Sequence, residues 1–291
     1  MSRRFIYLPG WAILSLGISG LFVVSALLLH RDSLTASSQV SASTVQSGSQ
    51  TDYEPGQRRQ LTYEQWVALL GQEAKVAAEA HPKRLTILAG DSLSLWFPAE
   101  LLPGDETWLN QGISGETSFG LLKRLKLFDQ THPDAIFVMI GINDLIRGVS
   151  AETLLANHRE IIRHLKAVHP KAQIVVESIL PHAGRQLLTQ PSALPTNESS
   201  RQGNAPSPWV PRLKQVSNDY IRELNQSIAS MAVEEGVEYL DLHSYFTDRN
   251  GDLAADLSTD GLHLSLKGYQ VWRSRLQVFA QQPPQRVRRS P

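Results

Sequence analysis

The sequence predicts an α/β fold, a mostly parallel sheet of about five strands with helices on both faces. Three observations predict it. Short apolar runs of strand length recur between Leu85 and Asp241, stretches of helical period separate them, and polar residues suited to catalysis follow the runs. Strands alternating with helices imply β-α-β crossovers, which make neighbouring strands parallel and cover both sides of the sheet.

The elements follow in order. LTYEQWVALLGQEAKVAAEA puts Leu61, Trp66, Leu69 and Leu70 on one stripe and reads as a helix. Leu85 to Ala89 is a buried strand that ends at Gly90, and Trp108 to Asn110 is a shorter one. Ala135 to Ile140 is the clearest run, and Gln173 to Glu177 and Val237 to Asp241 follow it. Helical patterns occupy about 117–130, 151–168 and 213–235, with a last one near 267–280. In sheets of this kind, reactive groups sit on loops beyond the carboxyl ends of the strands. Between Pro181 and Pro211 the alternation is interrupted by a polar, proline-broken insertion, about 182–212, expected to be a substrate-side lid or a surface excursion.

The ends of the chain read differently. Phe5 to Leu29 carries no charge. At about 1.5 Å per residue, such a run is long enough for a hydrocarbon core about 30 Å thick. It exceeds the roughly 7–15 apolar residues of a signal peptide. An uncleaved transmembrane anchor (1–31) is therefore preferred to a cleaved signal. Arg3 and Arg4 before the run favour a single-pass protein with an exported, periplasmic or extracellular, catalytic domain. Residues 32–60 are rich in Ser, Thr and Gln, bury nothing, and are expected to be a flexible tether. The globular domain spans 61–282. A solvated basic tail, 283–291, holds Arg286, Arg288 and Arg289.

Lys plus Arg and Asp plus Glu each number 28, so charge gives no reason to expect nucleic acid. Cysteine is absent, which excludes disulfides, thiolate metal ligands and a thiol nucleophile. No internal repeat is visible, and oligomeric state is not legible.

Four segments carry candidate chemistry. Gly90-Asp91-Ser92-Leu93 follows the first strand and puts a hydroxyl on a tight turn, although Gly-Asp-Ser is also an ordinary turn and N-cap sequence. Gly112-Ile-Ser-Gly115-Glu-Thr117 follows the second, where glycines allow close backbone approach or simple loop freedom. Gly141-Ile-Asn143-Asp144 closes the third, where Asn143 could face a reacting oxygen or cap a helix. Asp260-Gly-Leu-His263 supplies a carboxylate and an imidazole at a spacing that allows a hydrogen bond. Each alone is weak; four in order at strand ends are not.

In these blocks, GDSL, GISGET, GIND and DGLH, the chain from about Leu85 to Gln277 resembles the SGNH (GDSL) hydrolase family. It looks most like the small single-domain lipase and thioesterase-like members, whose fold is a flavodoxin-like three-layer α/β/α sandwich. The resemblance implies Ser92 as nucleophile, His263 as general base and Asp260 as its orienting acid. It also implies an oxyanion hole from the N–H groups of Ser92 and Gly115 and the side chain of Asn143, with no cofactor or metal. A small-molecule or glycan ester is the implied substrate. Three other readings compete: an O-acyltransferase acting on a cell-surface glycan, an inactive binding module, and a metallophosphoesterase using Asp91, Asp144, Asp260 and His263.

The remaining candidates have plainer expectations. His81, His132 and His169 stand beside prolines and are expected at the surface. His158 and His164 are expected on the exposed face of a helix. His243 is a pocket candidate. Trp96 and Phe97 are expected to pack or to line an acyl pocket, and Asp91 and Asp144 to hold turns.

Overall fold

The structure is a computed structural model that describes residues 61–104, 106–183 and 210–281. The expected anchor, the tether, the basic tail and most of the insertion lie outside the described residues. Among the described residues, no helix is long and apolar enough to cross a membrane.

Helix α1 (Tyr63–Ala80) leads into β1 (Leu85–Gly90), the short α2 (Ser92–Leu95), β2 (Thr107–Gly112), α3 (Ser118–Arg124) and β3 (Ala135–Met139). Then come α4 (Ile142–Ile146), α5 (Ala151–Val168), β4 (Gln173–Glu177), α6 (Val210–Leu213), α7 (Asn218–Glu235), β5 (Glu238–Leu240), α8 (His243–Phe246) and α9 (Leu266–Gln281). All five strands pair in parallel, in the order β2-β1-β3-β4-β5. The strand order therefore turns at β1 and β3, where parallel sheets open a crevice at their carboxyl ends.

Alternation along the strands divides the core. Leu85, Ile87 and Ala89 of β1 join Ile136 and Val138 of β3 against α1, α3, α5 and α7. Leu88, Phe137 and Val175 face the other way, onto Phe246 of α8 and Tyr269, Trp272, Leu276 and Phe279 of α9. The expected three-layer sandwich is the result. Caps set the helix starts: Thr62 and Gln65 form a capping box on α1, and Thr117, Ser150 and Ser217 cap α3, α5 and α7.

Several expectations are corrected. The helix expected from 213 begins at Asn218, because Ser217 caps it, and Val210–Leu213 forms a separate turn inside the supposed irregular insertion. The stretch expected as helix over 117–130 tightens to 3₁₀ geometry from Leu125. His158 is buried, not exposed: it continues the stripe of Leu154, Ile161 and Leu165, with Nδ1 against the Leu154 carbonyl at 3.1 Å. His169 is buried as well, its ring 6.2 Å from Phe128 and nearly parallel to it.

Glu177 is wholly buried at the end of β4 and accepts the indole N–H of Trp272 at 2.7 Å. Burial pushes its carboxyl from 4.5 up to about 8, against the lowering effect of that bond. The folded chain thus keeps a proton that the unfolded chain loses above 4.5, so this contribution to stability is full below that pH and lost as pH rises through about 8. Glu177→Gln should raise the melting temperature near pH 9 by on the order of 5 °C, and by much less near pH 5. Equal shifts at the two pH values in a calorimetric scan would contradict this.

Candidate active site

The site begins with two close approaches of backbone to backbone. A Cβ on Gly90 would lie 2.3 Å from the Met139 carbonyl oxygen, and one on Gly112 would lie 2.4 Å from the Leu95 N. Glycine at both positions lets α2 seat directly on the carboxyl ends of β1 and β2. Ser92 therefore stands at the first position of α2, over the turn in strand order, 6% exposed.

Across the crevice, the loop before α9 brings up the DGLH block. His263 Nε2 is 3.2 Å from Ser92 Oγ, and His263 Nδ1 is 2.7 Å from Asp260 Oδ2. The other carboxylate oxygen of Asp260 accepts the N–H groups of His263 and Leu262 at 2.8 and 3.0 Å. Burial raises the Asp260 carboxyl, but the His263 bond and charge, with those backbone N–H groups, outweigh it and hold the carboxyl below its usual range. Three residues separated by as many as 171 positions thus form one hydrogen-bonded file.

Asn143, at the start of α4, donates through Nδ2 to Asp91 Oδ2 at 3.3 Å, so it is tied to the residue before Ser92. Asp91 also accepts the Leu93 N–H at 2.9 Å. Burial pushes the Asp91 carboxyl up to about 7, opposed by the Leu93 N–H and the charge of His263. Gly115 sits within the loop between β2 and α3 with φ +75, a left-handed conformation suited to glycine, and Arg147 donates to its carbonyl at 2.7 Å. Asp144 turns away from the file and accepts the Ser118 N–H and hydroxyl at 2.8 and 2.5 Å. Among the described residues, no three His, Asp or Glu side chains converge to hold a metal ion.

The other aromatic and histidine candidates separate cleanly. Trp96 is 39% exposed and its ring lies 4.3 Å from that of His263, while Phe97 is buried against Tyr269 and Trp272. His243 is buried and bonded through Nδ1 to Thr247 at 3.2 Å. A cavity of about 820 Å³ lies between His169, Gln173 and Glu235, at the amino end of the sheet and far from Ser92. Sequence reasoning missed the buried ion pair of Glu116 and Arg124. Its signal was a charged residue three places after Leu121 on the buried stripe of α3.

A hydroxyl, an imidazole and a carboxylate in file at the turn of a parallel sheet form the arrangement that serine hydrolases reach on several unrelated folds. The model of the GDSL-like Lipase/Acylhydrolase family matches residues 32–271. The chain belongs to that family. Among solved structures, a Streptococcus pneumonia protein provisionally described as a platelet activating factor is 26% identical, with a TM-score of 0.58 over 74% of this chain and 95% of its own. A GDSL-like lipase from Bacteroides thetaiotaomicron, 18% identical, shares the fold at a TM-score of 0.56 over 73% of this chain and 97% of its own. An arylesterase from Vibrio mimicus is 31% identical over 125 residues, 38% of this chain and 62% of that protein. An N-acylneuraminate cytidylyltransferase from Streptococcus agalactiae is 24% identical over 174 residues, 60% of this chain and 35% of its own, so the chain spans about a third of that relative.

Asp91→Asn tests how Asn143 is held. With its oxygen kept on the Leu93 N–H, the new amide would turn N–H groups towards those of Asn143. Turnover of a simple ester should fall by about 10- to 100-fold with KM nearly unchanged, because positioning is lost rather than binding. The deficit should be larger above pH 7, where the wild-type carboxyl is ionised. An unchanged kcat would show that the contact does not position Asn143.

Proposed function

We propose that this chain cleaves carboxylic esters through an acyl-enzyme on Ser92. One observation carries the proposal: the file from Ser92 Oγ through His263 to Asp260, at 3.2 and 2.7 Å. A serine hydroxyl is a poor nucleophile near neutral pH and needs a base within hydrogen-bond reach. As Ser92 Oγ attacks the ester carbonyl, its proton passes to His263 Nε2, and the carbonyl electron pair moves to oxygen. The N–H groups of Ser92 and Gly115 and the amide of Asn143 meet that oxyanion. His263 then returns the proton to the departing alkoxide. Water repeats the sequence on the acyl group and frees Ser92 with a carboxylic acid. Asp260, kept ionised by its partners, fixes the tautomer of His263 and stabilises the imidazolium.

Trp96 supports a narrower reading of the substrate. Because His263 serves the departing alcohol, an exposed ring 4.3 Å from its own lies on the alcohol side of the site. A flat aromatic surface there suits an alcohol that is itself a ring, either an aryl group or a sugar. The name of one relative, an arylesterase, agrees with such a ring.

Ser92→Ala and His263→Ala should each lower kcat on an aryl acetate by about 10⁴-fold or more, and the double variant should lose little further, because the two act as one unit. Asp260→Asn should retain more activity than either. In Trp96→Ala, kcat/KM should fall by about tenfold for the aryl ester and by no more than roughly threefold for an ethyl ester. Normal turnover by Ser92→Ala would sink the acyl-enzyme reading. Equal losses on both esters would sink the ring-alcohol reading.

A further inference from the structure

We infer that the buried pair Glu116–Arg124 is a positioning device that fixes the Gly115 loop to the strand end bearing Ser92. The inference rests on the oxyanion reading of Gly115 given above. Arg124 lies at the end of α3 with its side chain 3% exposed, and that of Glu116 is 4% exposed. The Arg124 Nε donates to Glu116 Oε2 at 2.8 Å, and its Nη2 donates to the Gly90 carbonyl at 3.1 Å. The same carbonyl accepts the Ile113 N–H at 3.2 Å. One guanidinium therefore spans from the residue after Gly115 to the peptide two residues before Ser92, and the start of the loop is tied to the same oxygen.

The carboxylate of the pair is satisfied locally, whereas Arg124 Nη1 is buried without a hydrogen-bond partner. Glu116 Oε1 accepts the Thr117 N–H at 3.1 Å, and Oε2 accepts the Tyr63 hydroxyl of α1 at 3.2 Å. A Cβ at position 120 would lie 1.8 Å from Glu116 Oε1, so glycine on α3 is what lets the carboxylate lie flat against the helix.

Stability alone is a weak reason for this arrangement. Taking both charges out of water costs several kcal/mol per ion, and well-packed apolar replacements of a buried pair are often neutral or stabilising. Geometry is the better reason. Oxyanion donors act at about 2.7–3.1 Å from where the charge develops, and a displacement of about 1 Å can cost on the order of a hundredfold. A two-pronged guanidinium holds two backbone segments in one register, which a lysine point charge cannot do. The burden falls on kcat, because the donors matter mainly once the oxyanion has formed.

The experiment uses the full chain, p-nitrophenyl acetate, and melting temperature measured beside kinetics. Glu116→Leu/Arg124→Met removes both charges together and avoids leaving either buried alone. It should melt within about 5 °C of wild type, yet lose about 10- to 100-fold in kcat with KM within roughly threefold. Arg124→Lys, which keeps the charge but reaches one partner at a time, should lose about three- to tenfold in kcat with KM unchanged. It also carries the test if the double variant does not fold. A folded double variant with wild-type kcat, or Arg124→Lys with wild-type kcat, overturns the inference. Ser92→Ala in the same assay separates the two claims. If it is inactive while the pair variants are normal, only the positioning role fails; if it turns over normally, the acyl-enzyme reading fails first.

Discussion

The seating of α2 on the ends of β1 and β2 is the constraint from which the site follows. A Cβ at Gly112 would lie 2.4 Å from the Leu95 N of α2, and one at Gly90 would lie 2.4 Å from Ser94 Oγ of α2 and 2.3 Å from the Met139 carbonyl of β3, so a side chain at either position would press on the helix. Lifting it would take Ser92 away from the turn in strand order and out of reach of His263. The β1–β2 and β1–β3 registers, Gly90 opposite Gly112 and Met139, bring all three strand ends level. Serine, the glycine loop and asparagine are therefore delivered by consecutive strands to one edge of the sheet. His263 and Asp260 arrive separately, on a loop held by the Ser258 and Thr259 contacts to the His263 carbonyl.

Around that edge, buried polar groups do what a looser site would leave to chance. Asp91 ties α2 to Asn143, Asp144 ties α4 to Ser118, and Arg124 ties the glycine loop to β1. Each bond crosses from one strand-end loop to another, so the segments form a connected rim. The low-dielectric setting that raises Asp91 also strengthens these bonds, and it makes an unpaired member expensive. Asp260 differs because three donors hold it ionised. A carboxylate that stays charged can stabilise an imidazolium throughout a catalytic cycle.

Strand positions and long helices were legible in the sequence because burial imposes a period. Gln173–Glu177 and Ala151–Val168 coincide with their expected limits. The short helices carrying Ser92, Asn143 and His243 were not legible as elements, since four or five residues are too few to show a helical period. The first two could still be placed from Gly-Asp-Ser and Gly-Ile-Asn, while no motif marked the helix of His243. His158 was misread because a polar residue on an apolar stripe looks like an exposed one, whereas its ring bonds back to Leu154 and stays inside. Glu116 and Arg124 were missed for the opposite reason. Charged residues read as solvated until a structure shows that their partners, the Gly90 carbonyl and the Tyr63 hydroxyl, are also there.

The central claim is that a covalent bond forms at Ser92, and labelling with a fluorophosphonate followed by peptide mass mapping tests it most directly. The account predicts one adduct per chain, on the peptide containing Gly90-Asp91-Ser92-Leu93, absent in Ser92→Ala and much slower in His263→Ala. An adduct on a different serine, or ester turnover that continues undiminished after complete labelling of Ser92, would contradict it.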